Sequence, residues 1–174
     1  MPRVWVSVGS NIDRERHTRA ALEELRAMFG DLIVSPLYEA RAVGFEGDDF
    51  YNLVVGFDTE LPPSRLHELL RGIESHNGRV RGGEKLAPRT IDLDLLTYGD
   101  VLTDEGGKRL PRDEILHYAF VLAPLADVAG DERHPQLGDT YRSLWERLLA
   151  AGEGQGLRRL PDPAWLRSGG GADA

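Results

Sequence analysis

Asp92 and Asp94 stand two residues apart inside the run Thr90 to Tyr98, which reads as a β-strand. In a strand, residues i and i+2 share a face about 6–7 Å apart along the chain. Both carboxylates therefore project one way, while Ile91, Leu93 and Leu95 project the other. Two hard oxygen donors on one face suit Mg²⁺, either one ion or two ions about 3.5–4 Å apart. Just before them lies the Gly- and Pro-broken stretch Gly78–Arg89, which carries Arg79, Arg81, Lys85 and Arg89 against one acid, Glu84. Guanidinium forks match phosphate oxygens as a point-charge ammonium does not. Carboxylates and cations at one place call for a third party rich in negative charge, and a polyphosphate bound through metal supplies it. Taken singly, the alternatives are a solvated strand face and a basic surface loop.

Other residues extend the case. Phe50 and Phe120 offer aromatic faces and Asn52 an amide, the means to hold and read a flat heterocycle, though each could equally pack in a core. Gly9-Ser10-Asn11 ends a strand and either places Asn11 near a substrate or simply turns the chain. Glu74, near a helix end, is either a solvated acid or a ligand contact. No Gly-x-x-x-x-Gly-Lys-[Ser/Thr] is present, so a P-loop is excluded. Phosphoryl-type transfer needs positioning and charge neutralisation more than a nucleophilic side chain, which agrees with a chain that has no cysteine.

The elements that must position these residues follow from periodicity. Arg3 to Val8 alternates as a strand. Asp13 is placed to cap a helix over 14–29, with Ala21, Leu22, Leu25, Met28 and Phe29 at helical spacing. Strands are expected over 32–38 and 50–58, separated by a loop over 39–49. Pro62-Pro63 opens a helix over 63–76, and the Asp92–Asp94 strand follows. The order β-α-β-β-α-β is that of the ferredoxin-like plan, an α+β fold. A hairpin or turn region over 101–109 comes next. Helices expected over 114–129, capped by Asp113, and over 141–151, capped by Thr140 or Asp139, cover the second sheet face and complete an α-β-α sandwich.

The chain has 174 residues, 41% of them hydrophobic, and a net charge of −8. That length suits one domain, expected over 1–160, with a partly disordered C-terminal tail over 161–174. A local positive patch in an acidic protein points to a small anionic ligand and away from nucleic acid. No signal peptide or apolar run long enough to span a membrane is visible. A cytoplasmic monomer acting on small molecules is the expectation.

Taken together these residues resemble a known family, the hydroxymethyl-dihydropterin pyrophosphokinases of folate biosynthesis. The resemblance runs from about Val4 to Leu125. It is most specific at Gly78-Arg79-Val80-Arg81 and at Pro88-Arg89-Thr90-Ile91-Asp92-Leu93-Asp94-Leu95, with Val8-Gly9-Ser10-Asn11, Phe50-Tyr51-Asn52 and Phe120-Val121-Leu122-Ala123-Pro124-Leu125 in matching order. It implies ATP and the pterin alcohol as substrates, pyrophosphate transfer and AMP release. It also implies two Mg²⁺ ions on Asp92 and Asp94, and the pterin between Phe50 and Phe120. Asn52 and backbone from Ala40 to Val43 would read the pterin edge. Arg79, Arg81 and Arg89 would hold phosphates, with Glu74 and Leu95 beside the nucleotide, and loops over 41–49 and 82–87 would close over the site. The family often has His-Pro where Arg112-Asp113 stand, Arg where Tyr118 stands, and an aromatic where Leu86 stands. Arg112 is the residue expected to supply the missing phosphate charge. A nucleotidyltransferase reading fits less well, because about 80 residues separate Ser10 from Asp92. A ferredoxin-like regulatory module leaves the arginines and paired acids without a role.

Overall fold

A computed structural model describes residues 1–41, 47–78, 90–105, 108–154 and 156–167. The elements run β1 (Arg3–Ser10), α1 (Arg14–Phe29), β2 (Ile33–Val34), β3 (Tyr38–Ala40), β4 (Phe50–Asp58), α2 (Pro63–His76), β5 (Asp92–Tyr98), α3 (Glu114–His117), α4 (Ala119–Ala129), α5 (Tyr141–Ala150) and β6 (Leu157–Arg159). The strands form one antiparallel sheet in the order β5-β1-β4-β3-β6, with β2 also on β4. β1 lies between β4 and β5, which is the ferredoxin-like arrangement.

The even positions of β1, Val4, Val6 and Val8, join Leu53, Val55, Phe57, Leu93 and Leu95 in one core. That face is covered by α1 through Ala21, Leu22 and Leu25, and by α2 through Leu66, Leu70 and Ile73. The opposite face holds Trp5, Val54 and Leu96 against Ile115, Val121, Leu122, Leu125 and Leu144 of α3, α4 and α5. The result is the expected α-β-α sandwich. A bulge links the two faces: Trp5 opposes Thr97 while Val6 opposes Leu95, so Leu96 is the extra residue. It resets the alternation. Asp92, Asp94 and Leu96 share the second face, yet Tyr98 returns to the first core.

Several expected boundaries are corrected. The single strand over 32–38 is two short strands, because Pro36 has no N–H to give a ladder. Ser35 bridges the break: its N–H donates to the Val54 carbonyl at 2.9 Å, and its Oγ accepts from the Val54 N–H at 2.9 Å. Asp13 precedes α1 but does not cap it with its side chain. Its backbone is left-handed at φ 46°, and its carboxylate meets Arg16 at 3.1 Å. Asp113 likewise makes no side-chain cap. The helix over 114–129 breaks at Tyr118, which is extended. Residues i and i+2 diverge on a helix, and the break lets the Tyr118 ring stack on Phe120 at 4.9 Å. Thr140 caps α5, accepting from the Ser143 N–H at 3.1 Å. The turn region over 101–109 closes through a Thr103–Leu110 bridge.

The stretch over 161–167, expected as tail, docks instead. Leu166 is fully buried in the first core, and its carbonyl accepts from Arg26 at 2.8 Å. The strand β6 ahead of it went unread, since three residues carry too little alternation to recognise. Residues 168–174 lie outside the described residues. Among the described residues no helix is long and apolar enough to cross a membrane.

Candidate active site

The second sheet face is covered at one end and open at the other, and the same three strands show the change. Along β1 it passes from fully buried Trp5 to half-buried Ser7 and Gly9; along β5, from buried Leu96 to half-buried Asp94 and Asp92; along β4, from buried Val54 through Asn52 to half-buried Phe50. Register lines these up in rows. Tyr38, Asn52, Gly9 and Asp92 oppose one another in turn across four strands, and Val54, Ser7 and Asp94 form the next row. Opposed residues of an antiparallel sheet share a face. The two aspartates and Asn52, 40 residues apart in sequence, thus stand on one surface with Gly9 as the bare floor between them.

A Cβ on Gly9 would sit 3.1 Å from the Asn52 Nδ2. Asn52 is 8% exposed, and its Oδ1 has no hydrogen-bond partner among the described residues. An orphan acceptor costs folding energy, so a ligand donor is its natural complement. Phe50 opposes Ala40 one row further out, and Phe120 lies in the first turn of α4. Asn11 is buried, and its Nδ2 donates to the Asp48 carbonyl at 3.1 Å, tying the end of β1 to the 47–49 segment. Beside it a cleft of about 380 Å³ is lined by Asp13, Glu39, Asp48 and Asp49 as well as Asn11 and Arg14. This acidic cleft lacks the aspartates of β5 and is no place for a phosphate. Arg14 partly neutralises it, meeting Glu39 at 2.7 Å and lying over the Tyr51 ring at 4.0 Å.

β5 is an edge strand, and its free edge is held by α2. Glu74 is 1% exposed rather than solvated. Its Oε2 accepts from the Leu93 N–H at 2.8 Å, while Arg71 reaches the Leu93 carbonyl and the Glu74 Oε1, each at 3.4 Å. A buried carboxylate thus fixes the strand that carries Asp92 and Asp94. The Leu95 N–H and C=O point outward like those of Leu93, because direction alternates residue by residue in an antiparallel ladder. Further along, the Arg112 N–H donates to the Leu96 carbonyl at 2.8 Å. The Arg112 guanidinium lies 3.5 Å from Asp94 and 2.9 Å from Glu114, and its buried Nε has no partner among the described residues. Arg112 therefore stands beside Asp94, close enough to reach a phosphate that a cation on Asp94 would hold. Arg79, Arg81, Arg89 and Val43 lie outside the described residues, as do the loop spans 42–46 and 82–87.

Arg71 and His67 escaped the sequence reading. With Glu74 they form a polar stripe at i, i+4 and i+7 on α2, and that spacing was the available signal. Among the described residues no group of three or more His, Cys, Asp and Glu converges as a metal cluster. The pair on β5 matches a hard cation that takes one or two protein carboxylates and completes its shell elsewhere.

A family model described as 7,8-dihydro-6-hydroxymethylpterin-pyrophosphokinase matches residues 5–130. The chain belongs to this family. The matched span runs from β1 through α4, so it takes in every candidate residue from Asn11 to Phe120 and leaves α5 and β6 outside. The chain is similar to the 2-amino-4-hydroxy-6-hydroxymethyldihydropteridine pyrophosphokinase of Pseudomonas aeruginosa, at 41% identity over 168 residues, 91% of this chain and 97% of that one. It is similar to the pyrophosphokinase of the same name in Bacillus subtilis, at 36% identity over 71% of this chain and 76% of that one. Its fold is similar to that of the HPPK-DHPS chain of Plasmodium falciparum, with a TM-score of 0.69 over 91% of this chain at 15% identity. It spans 47% of that longer chain, and the likeness there concerns the fold alone.

Proposed function

We propose that this chain moves the terminal pyrophosphoryl group of ATP onto the hydroxymethyl oxygen of 6-hydroxymethyl-7,8-dihydropterin, a step of folate biosynthesis. A bond forms from the alcohol oxygen to the β-phosphorus. The bond from that phosphorus to the oxygen bridging it to the α-phosphorus breaks. AMP leaves with the bridging oxygen, and the alcohol proton passes to water. The observation that carries this reading is the row Asn52–Gly9–Asp92 with Asp94 beside it, on the open part of the second face.

Each end of that row has its own task. The orphan Oδ1 of Asn52 accepts from the polar edge of the pterin, with backbone at Ala40 and Val43 completing the readout. Phe50 and Phe120 hold the ring faces. Asp92 and Asp94 would hold two Mg²⁺ ions, which would supply charge neutralisation for the triphosphate and polarisation of the β-phosphate. Arg79, Arg81, Arg89 and Arg112 bind phosphate oxygens in fork geometry. Leu95 offers a backbone donor and acceptor to the nucleotide, and Glu74 keeps that strand edge in place. Asn11 anchors the segment beside the pterin. Alignment and charge neutralisation then supply most of the rate, as is general for phosphoryl-type transfer.

The test is incubation with ATP, Mg²⁺ and the pterin alcohol. AMP forms only when the pterin is present; pyrophosphate as the released product would mark a nucleotidyltransferase, and no product a binding module. Arg112→Ala raises the KM for ATP roughly tenfold. An unchanged KM would remove Arg112 from the phosphate site.

A further inference from the structure

Arg14 opens α1 on the side of the sheet away from the open floor, delivered there by the left-handed turn at Asp13. Its guanidinium carbon lies 4.0 Å from the centre of the Tyr51 ring, its Nη1 donates to the Asp49 carbonyl at 3.0 Å, and its Nη2 meets Glu39 at 2.7 Å. Residues 49 and 51 are the two neighbours of Phe50. Successive residues of a strand face opposite ways. Tyr51 therefore packs against the first core, while Phe50 and Asn52 face the floor. Register builds the platform under Arg14: Arg158, Glu39, Tyr51 and Ser10 oppose one another in turn on the first face. Before Leu53, β4 gives that face no aliphatic side chain, and the planar cation covers it instead. Asn11 holds the Asp48 carbonyl at 3.1 Å, so residues 48, 49 and 51 are all gripped from the turn between β1 and α1. A guanidinium can stack on a ring and donate in its own plane at once, which an ammonium cannot. Glu39 alone does not explain the arrangement, since it already has Arg158 at 2.6 Å.

We propose that Arg14 is a positioning residue for the pterin. By gripping the residues on either side of Phe50 from the back of the sheet, it fixes the direction of that ring and keeps one wall of the heterocycle site in place before substrate arrives. The inference rests on the pyrophosphokinase reading above.

The experiment compares the parent chain with Arg14→Gln, Arg14→Lys and Glu39→Gln. Hydrogen exchange over residues 47–53 reads the grip without substrate, and steady-state kinetics read the KM for the pterin alcohol and for ATP with Mg²⁺. Absence of AMP formation by the parent sinks the pyrophosphokinase reading; exchange still tests the grip, and an unchanged rate in Arg14→Gln ends it. In Arg14→Gln exchange over 47–53 is expected to rise about fivefold or more. The KM for the pterin rises roughly five- to tenfold, the size of one aromatic face held loosely. The KM for ATP and kcat stay within about twofold, and Tm changes by a few degrees at most, because Glu39 keeps Arg158. Arg14→Lys retains a charge beside Glu39 yet recovers only part of the loss. Glu39→Gln, which leaves the Tyr51 stack and the Asp49 hydrogen bond, keeps the pterin KM within about twofold of the parent. An unchanged pterin KM in a folded Arg14→Gln overturns the proposal, even with faster exchange. Equal rises for pterin and ATP show a general loosening and overturn it. Full recovery in Arg14→Lys, or a loss in Glu39→Gln as large as in Arg14→Gln, shows an ordinary ion pair and overturns it too. Should Arg14→Gln fail to fold, Arg14→Lys decides: a pterin KM at least threefold above the parent with the ATP value unchanged sustains the grip, and a parent-like value ends it.

Discussion

The two faces of the sheet are made from the same strands but do different work. On the first, Val4, Val6, Val8, Leu53, Val55, Leu93 and Leu95 are all within a percent or so of complete burial. On the second, burial is complete only as far as Trp5, Val54 and Leu96; beyond them come Ser7, Gly9, Asn52, Asp92 and Asp94. Alternation along β5 puts a core residue and a candidate metal ligand next to each other at every step. Stability and chemistry are thus separated by the direction of a side chain rather than by distance. Side chains on the first face fix where the strands lie, and the second face inherits that precision without contributing much to it.

Neighbouring substitutions break this comparison most sharply. Asp94→Ala is expected to lower kcat at least 10²–10³-fold, the scale for removing one preorganised charge-stabilising group, with pterin affinity and Tm little changed. Leu93→Ala is expected to cost about 2–5 kcal/mol of stability, a Tm loss of several degrees for a chain of this size, while leaving the KM for the pterin within about twofold. Steady-state kinetics and thermal melts on the pair read both. A folded Asp94→Ala variant with near-normal kcat would contradict the division of labour, as would a Leu93→Ala variant with normal Tm.

His67 stands between the two regimes, buried in α2 against the edge of β5, and pH separates its contribution from the rest. Its pKa is lowered from an ordinary value near 6.5 to about 4, with burial the main cause and Lys108, Arg71 and Arg112 adding to it. The unfolded chain therefore binds a proton that the folded chain refuses between those values. Stability from this group is fully present above about pH 6.5 and is lost as pH falls toward 4. Linkage gives a loss of about 2 kcal/mol between pH 7 and pH 5. His134 is lowered by burial as well and adds a slope of the same sign. The informative quantity is thus the difference between the parent and His67→Leu in urea melts at pH 7 and pH 5. The parent should lose about 2 kcal/mol more than the variant over that interval, and parallel losses would show that the ring is not held neutral.

Much of this architecture was legible in the residues. The alternation of β1 and β5, the helical spacing of α1 and α2, and the opposed directions of Asp92–Asp94 and Leu93–Leu95 are local properties, and local periodicity reads them. What escaped was non-local. The Leu96 bulge depends on how β5 meets β1, and the break at Ser35-Pro36 is repaired by a hydroxyl bonding to another strand. Leu166 is buried because the core has room for it, not because its neighbours signal an element. The site divides in the same way. The candidate ligand types could be named from local sequence, but the register that places Asn52, Gly9 and Asp92 in one row exists only once three strands are paired. Glu74 shows the limit most clearly: an acid near a helix end reads as a solvated group or a ligand contact until β5 arrives with a Leu93 N–H that donates to it.

Gly9 is where a small change should sharpen the contrast. It follows Val8, whose substitution would strike the first core, and its own side chain position faces the open floor of the second face. A methyl there comes within 3.1 Å of the Asn52 Nδ2, tighter than ordinary contact, so the amide must shift by a few tenths of an ångström. The backbone needs no left-handed conformation at this position, since Gly9 is absent from the positive-φ glycines, and Gly9→Ala should fold with a Tm within a few degrees of the parent. If Asn52 reads the pterin edge as proposed, displacing its amide misaligns hydrogen bonds worth about 1 kcal/mol, so the KM for the pterin should rise roughly five- to tenfold. The KM for ATP should stay within twofold, because the proposed nucleotide contacts are at Leu95 and Arg112 rather than at Asn52. Isothermal titration with the pterin alone and steady-state kinetics with ATP varied separate the two. An equal rise for both substrates would mean that Gly9 positions β5 as a whole, and the floor would then belong to the scaffold rather than to pterin recognition.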